Sequence, residues 1–304
     1  MKPCSSRFHR IRHLRYHVRT WGNRGAPKLF LLHGWMDVSA SFQFLVDSLA
    51  REWHVIAPDW RGFGLTAWAR DGYWFPDYYA DLEALLDLYE PAAPVNLVGH
   101  SMGGNIACVY AGLRPQRVAK VVSLEGFGAA CTQAADAPAR YARWLDQLAR
   151  PPAFRPYPSF DAVAARLQKS HPRLDAARAQ FLARHWAHET GTGTVELRSD
   201  PRHKAVNPVL SRIDELLACW RRITAPVLWI WGDASGAPGW RGDNAALLAE
   251  RKSAFANLRE IAIADCGHML HLDQPARVAA AIEDFLCQIK PVVPPPADAP
   301  GICG

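Results

Sequence analysis

Three short segments, far apart in a chain of 304 residues, carry side chains suited to one reaction. The first is Gly99-His100-Ser101-Met102-Gly103-Gly104, a G-x-S-x-G pattern. An apolar stretch, VNLV at 95–98, runs straight into it, and a segment of helical period, 105–113, runs straight out. A strand-to-helix turn that tight forces its serine into a strained backbone conformation and presents the hydroxyl as a nucleophile. Side chains at 99 and 103 would collide across the turn, so glycine is required there. The helix starting at Met102 directs its positive end at the reacting centre. A glycine-rich turn with an incidental serine is the plainer alternative, and the flanking strand and helix argue against it.

The second segment is Asp265-Cys266-Gly267-His268, after the last apolar stretch of the chain. In a parallel α/β sheet the carboxyl ends of the strands share one edge, so a histidine there can reach Ser101 as its general base. The order serine then histidine fits a nucleophile elbow. His271, three residues on, reads as a packing or hydrogen-bonding residue, and Cys266 as a core or loop thiol without an elbow of its own. The third segment, His33-Gly34-Trp35, follows an early strand. It aims the Trp35 N–H where an oxyanion would develop, with the Met102 N–H as second donor. His33, Gly34, His100 and Phe127, gathered at the same edge, are expected to border the substrate.

Strands and helices must alternate to bring these segments together. Apolar runs at 29–32, 54–57, 95–98, 118–124, 227–231 and 258–264 read as strands; 38–49, 77–89, 105–113 and 275–289 have helical spacing. This rhythm implies a mainly parallel sheet with helices on both faces. The basic stretch 7–19 shows partial alternation and reads as a pair of edge strands with polar outer faces. Its rival, a basic arm for nucleic acid, lacks any accompanying motif. The interval 126–222 breaks the rhythm with Ala- and Arg-rich helical segments (141–148, 160–167, 174–186) and proline joints. The expected organisation is a first core part over 1–125, a helical cap over 126–222, a second core part over 223–290, and a disordered Pro-rich tail over 291–304.

Within the cap, Trp144, Trp186, Trp220, Phe154 and Phe181 read as core more readily than as ligand contacts, whereas Trp35 and Phe127 flank the catalytic edge and point to a partly apolar, aromatic-walled pocket. Asp200-Pro201-Arg202-His203-Lys204 is a polar knot, read first as a loop anchor and second as an anion site.

Hydrophobic residues at 49% and charged residues at 21% are ordinary globular values, and the formal charge of +6 is spread along the chain. Seven cysteines with no CxxC pair point away from a disulfide framework or a cysteine zinc site. No apolar leader follows Met1 and no run of 18 apolar residues occurs, so a cytoplasmic protein without a membrane span is expected.

Taken together, HGW, Asp59-Trp60-Arg61-Gly62-Phe63-Gly64, GHSMGG and GHMLHLDQP resemble the α/β-hydrolase superfamily, in the branch with a helical cap after strand six, over residues 16–289. The resemblance implies an eight-stranded sheet, a D-x-R-G-x-G turn in which Asp59 and Arg61 brace the sheet edge, and an acid that holds the histidine. In most relatives that acid is an Asp three residues after the Gly ending strand seven. Here that Gly is Gly232 and the third residue on is Ser235, which carries no charge. Glu125, closing strand six, is the favoured substitute, as in branches of the family that place the acid there. Asp233 and Asp243 are the alternatives. The expected activity is hydrolysis of a small or medium-sized carboxylic ester through a Ser101–His268–acid triad and an acyl-enzyme, needing no metal or organic cofactor and no nucleic-acid partner. A C–C bond hydrolase or cofactor-free perhydrolase would use the same residues. A catalytically silent binding protein of the same fold is the reading from another class.

Overall fold

The structure is a computed structural model, described here for residues 1–128, 132–235 and 245–288. Asp243, Cys131, Cys303 and the expected tail at 291–304 lie outside the described residues.

The strands are β1 (Cys4–Ile11), β2 (Leu14–Trp21), β3 (Lys28–Leu32), β4 (His54–Pro58), β5 (Val95–His100), β6 (Val118–Leu124), β7 (Ala187–Glu189), β8 (Val195–Leu197), β9 (Val227–Gly232) and β10 (Leu258–Ile263). Eight of them form one sheet in the order β1-β2-β4-β3-β5-β6-β9-β10. The basic 7–19 stretch is the antiparallel β1–β2 hairpin at one edge; from β4 onward every pairing in that sheet is parallel. The order reverses at β3, between β4 and β5, which creates the crevice at the strand ends where α/β folds bind ligands. The central strands are mostly apolar because helices cover both faces, so alternation gives way to continuous runs such as LFLL in β3.

The helices are α1 (Gln43–Ser48), α2 (Phe75–Tyr89), α3 (Met102–Leu113), α4 (Ala137–Ala149), α5 (Phe160–Ser170), α6 (Ala176–Trp186), α7 (Ile213–Trp220), α8 (Ala245–Ser253), α9 (Leu270–Asp273) and α10 (Pro275–Cys287). Residues of α2, α3 and α7 bury one face of the sheet. Those of α1, α9 and α10 bury the other. None among the described residues is long and apolar enough to cross a membrane. The helix expected over 38–49 is instead a 3-10 turn, Ser39–Phe42, followed by the short α1. Local bonds compete with the helix there: the Ser41 hydroxyl donates to the Val38 carbonyl and to Asp37.

Between β6 and β9, α5 and α6 pack with the short β7–β8 ladder around a separate apolar cluster. Ser159 and Asp175 cap these helices through side-chain acceptors for Ala162 and Arg178 N–H. α4 buries none of its residues fully and leaves Tyr141, Leu145 and Leu148 exposed. α7 returns to the sheet, where Trp220 is fully buried beside Trp229.

Candidate active site

Ser101 sits between β5 and α3 with φ +50° and ψ −114°, a conformation L residues adopt only when the surroundings force it. Its N–H donates to the Leu124 carbonyl (2.7 Å), which ties the turn to the end of β6. A Cβ on Gly103 would lie 2.1 Å from the Leu32 carbonyl oxygen, and one on Gly99 would lie 2.3 Å from the Gly103 carbonyl. Both glycines are therefore obligatory for this turn.

His268 lies on the loop after β10. Its Nδ1 is 3.5 Å from Glu125 Oε2, at the outer edge of hydrogen-bond range. Glu125 follows β6 in the left-handed region (φ +56°), and its side chain is almost wholly buried. That carboxylate is well satisfied: Oε1 accepts the Gly232 N–H (2.8 Å) and Oε2 the Ser235 hydroxyl (2.9 Å). The serine at the usual acid position thus supports the carboxylate from the neighbouring strand. Asp233 faces elsewhere; its Oδ1 accepts the Cys266 N–H (3.3 Å) and braces the β9 and β10 loops together. No hydrogen bond joins Ser101 Oγ to His268 among the described residues; in unliganded sites this contact is commonly long and tightens with substrate.

Trp35 and Met102 both reach the neighbourhood of Ser101. A Cβ on Gly34 would stand 3.3 Å from Ser101 Cβ, so the glycine brings the Trp35 loop close to Ser101. Neither N–H has a backbone acceptor among the described residues, which leaves both available to a developing negative charge.

A cavity of about 580 Å³ opens beside Trp35 and Met102. Its walls include Tyr73, Trp74, Phe75 and Tyr78 near the start of α2, with Trp144 and Leu148 of α4 opposite. The expected pocket residues fall differently. His33, Gly34, His100 and Phe127 are all buried and do not line this cavity. His33 turns inward because both ring nitrogens are used: Nδ1–H donates to the Gly34 carbonyl (2.7 Å), and Nε2 accepts the Trp60 N–H (2.8 Å). Phe127 packs edge-on against Trp229, and His100 donates from Nε2 to the His268 carbonyl (2.8 Å). Trp144, expected as core, is instead a cavity wall, because α4 sits over the opening rather than in the cluster of α5 and α6.

The polar knot anchors a loop. Asp200 accepts from Tyr73 OH (2.7 Å) and Arg202 Nε (2.8 Å), while the Arg202 guanidinium also donates to the Arg70 and Ala69 carbonyls. His203 is stacked between Phe63 and Tyr73, and burial holds its pKa down at about 3, so the ring is neutral. The Asp59 turn braces the edge by the same logic. Burial alone would raise the Asp59 pKa, but His17 at 2.7 Å and the Leu65 N–H hold it well below the usual carboxylate range. Arg61 forms a two-pronged buried pair with Asp81 (2.6 and 2.7 Å). Cys266 is buried, and burial pushes its thiol up to about 12, so it supplies no thiolate.

Sequence reasoning missed Ser235 as a partner of Glu125, and the cavity walls at 73–78. For the first, the absent Asp at 235 was the available signal. For the second, nothing in the sequence of that loop set its aromatics apart from core residues.

The alpha/beta hydrolase fold family matches residues 27–275, most of the chain, and the protein belongs to that family. It is similar to the serine hydrolase-like protein of Danio rerio, with 27% identity over 282 residues, covering 88% of this chain and 84% of that one. It is also 26% identical over 260 residues to the 2-(acetamidomethylene)succinate hydrolase of Mesorhizobium japonicum, covering 86% and 88% respectively. Among solved structures, the thioesterase domain from the curacin biosynthetic pathway superposes with a TM-score of 0.81 at 22% identity, over 92% of this chain and 99% of that one.

Proposed function

We propose that the protein is a serine hydrolase acting on carboxylic esters, with Ser101 as nucleophile, His268 as general base and Glu125 as the acid. The observation that carries this reading is the approach of Glu125, from the strand-six position, to His268 Nδ1 at 3.5 Å, with Ser235 and Gly232 holding the carboxylate in place. Held so, the imidazole keeps its proton on Nδ1 and offers the Nε2 lone pair to the Ser101 hydroxyl. Ser101 then attacks the ester carbonyl, the Trp35 and Met102 amides stabilise the oxyanion, and the leaving alcohol takes the proton from His268. Water hydrolyses the acyl-enzyme with His268 again as base.

Residues 126–222 act as a cap, with α4 covering the cavity. The substrate entering there is small to medium-sized, and its acyl or leaving group meets aromatic walls. The relative named for a succinate derivative raises a dicarboxylate substrate as the rival. Against it, the Arg202 guanidinium is consumed by Asp200 and two backbone carbonyls, and His203 is neutral. Arg70 remains at the rim, beside the opposite charge of Asp71.

The test is a panel of p-nitrophenyl esters, from acetyl to phenylacetyl and hemisuccinyl, with wild type and Ser101→Ala. Turnover that favours the neutral aryl ester and is abolished in Ser101→Ala supports the reading. Turnover of equal rate in both proteins overturns it.

A further inference from the structure

Behind the triad lies a second cluster that the hydrolytic mechanism does not use. Asp37 belongs to the loop that carries Trp35, His100 immediately precedes the nucleophile, and His271 lies in α9 just after the base loop. All three side chains are buried, and one donor atom from each lies within 4.8 Å of the others. Four of their polar atoms have no hydrogen-bond partner: Asp37 Oδ2, His100 Nδ1, and both nitrogens of His271. Buried polar atoms without partners are rare, and such a concentration calls for an occupant. Asp37 differs here from Asp59, Asp81, Asp200 and Glu125, since among these buried acids it alone has an oxygen with no hydrogen bond, facing only His271 Nε2 at 3.7 Å.

We propose that Asp37, His100 and His271 form a binding site for one transition-metal dication of the zinc class. The donor set is one carboxylate and two imidazoles, which suits zinc and its neighbours and not calcium or magnesium. The surroundings match what metal ligands require. His100 donates its Nε2–H to the His268 carbonyl at 2.8 Å, the outer contact that fixes a ligating histidine and leaves the Nδ1 lone pair for the metal. Asp37 Oδ1 accepts the Val38 N–H (2.8 Å) and the Ser41 hydroxyl (2.7 Å), which orients the carboxylate and leaves Oδ2 as the ligand. Asp37 Oδ2 and His271 Nε2 are 3.7 Å apart, close to the roughly 3.3 Å separating two donors on a tetrahedral zinc with bonds of about 2.0–2.1 Å. A Cβ on Gly34 would lie 2.9 Å from His100 Nδ1, so the glycine keeps that lone pair uncovered. A metal here would clamp together the oxyanion loop, the nucleophile turn and the base loop.

The full chain is stripped with a chelator, dialysed against micromolar Zn²⁺ and assayed for bound metal, with melting temperature followed in parallel. One equivalent of zinc with a higher melting temperature is expected in wild type and in His268→Gln. Loss of that equivalent is expected in Asp37→Asn and His271→Gln. Less than one equivalent in wild type, or one equivalent retained by both cluster variants, overturns the proposal. Should the variants fail to fold, zinc-edge X-ray absorption of the wild type decides. Two imidazoles and oxygen support the site, and a sulfur ligand overturns it.

Discussion

Replacing Glu125 with glutamine changes one charge and almost no volume. The Gly232 N–H can still donate to the amide oxygen, so the loop at the end of β9 keeps its anchor. The second amide position, however, presents N–H groups to Ser235 Oγ and His268 Nδ1. The Nδ1–H then faces a donor, and the imidazolium formed during attack loses its counter-charge. Two unit charges 3.5 Å apart interact by about 5 kcal/mol at an effective dielectric of about 20. The imidazole is 43% exposed, and solvent trims this to about 4 kcal/mol, or roughly a thousandfold in kcat. The assay is steady-state turnover of the best p-nitrophenyl ester by Glu125→Gln and Asp233→Asn, with circular dichroism to confirm folding. Glu125→Gln should lose on the order of 10³ in kcat with KM little changed, and Asp233→Asn less than about tenfold. A loss below tenfold in Glu125→Gln, or a larger loss in Asp233→Asn, would refute the assignment of the acid.

Further expectations concern the scaffold. Gly103→Ala places a methyl group 2.1 Å from the β3 backbone, where no rotamer change relieves it. A loss of at least about 3 kcal/mol in urea unfolding is expected, and full stability would show that the turn can move. Asp81→Asn takes the buried counter-charge from Arg61 and leaves it only the partly exposed Asp77 at 2.9 Å, at about 2–3 kcal/mol by the same measurement; a change under 1 kcal/mol would contradict the buried pairing. His203, held down at about 3, refuses a proton that the unfolded chain accepts below about 6.5. Stability should therefore fall as pH drops from 6.5 towards 3, by roughly 3 kcal/mol at pH 4.5 from this group. In His203→Phe, melting temperatures at pH 7 and 4.5 should differ less than in wild type, and an unchanged difference would rule out the linkage.

The central strands are legible in the sequence because strands buried on both faces leave uninterrupted apolar runs; LFLL in β3 is one. The elbow is legible because two glycines and a serine are sterically required at fixed offsets. The acid was only narrowed to a choice. Whether Glu125 or Asp233 reaches His268 depends on the left-handed backbone at 125 and on Ser235, neither of which has a local pattern. The inward turn of two edge histidines is hard to foresee for a related reason. His33 and His100 sit at the right edge of the sheet, yet their rings turn inward to bond backbone groups contributed by distant loops. The Asp37–His100–His271 cluster has no sequence signature at all, since its members come from three loops that only tertiary packing joins.

The central claim, that Ser101 is an activated nucleophile, is tested most directly by a fluorophosphonate probe followed by peptide mass spectrometry. One phosphonyl group per chain, on the peptide containing Ser101 and greatly slowed in His268→Gln, is the expected result. An unlabelled protein, or a label on another serine at equal rate, would contradict it.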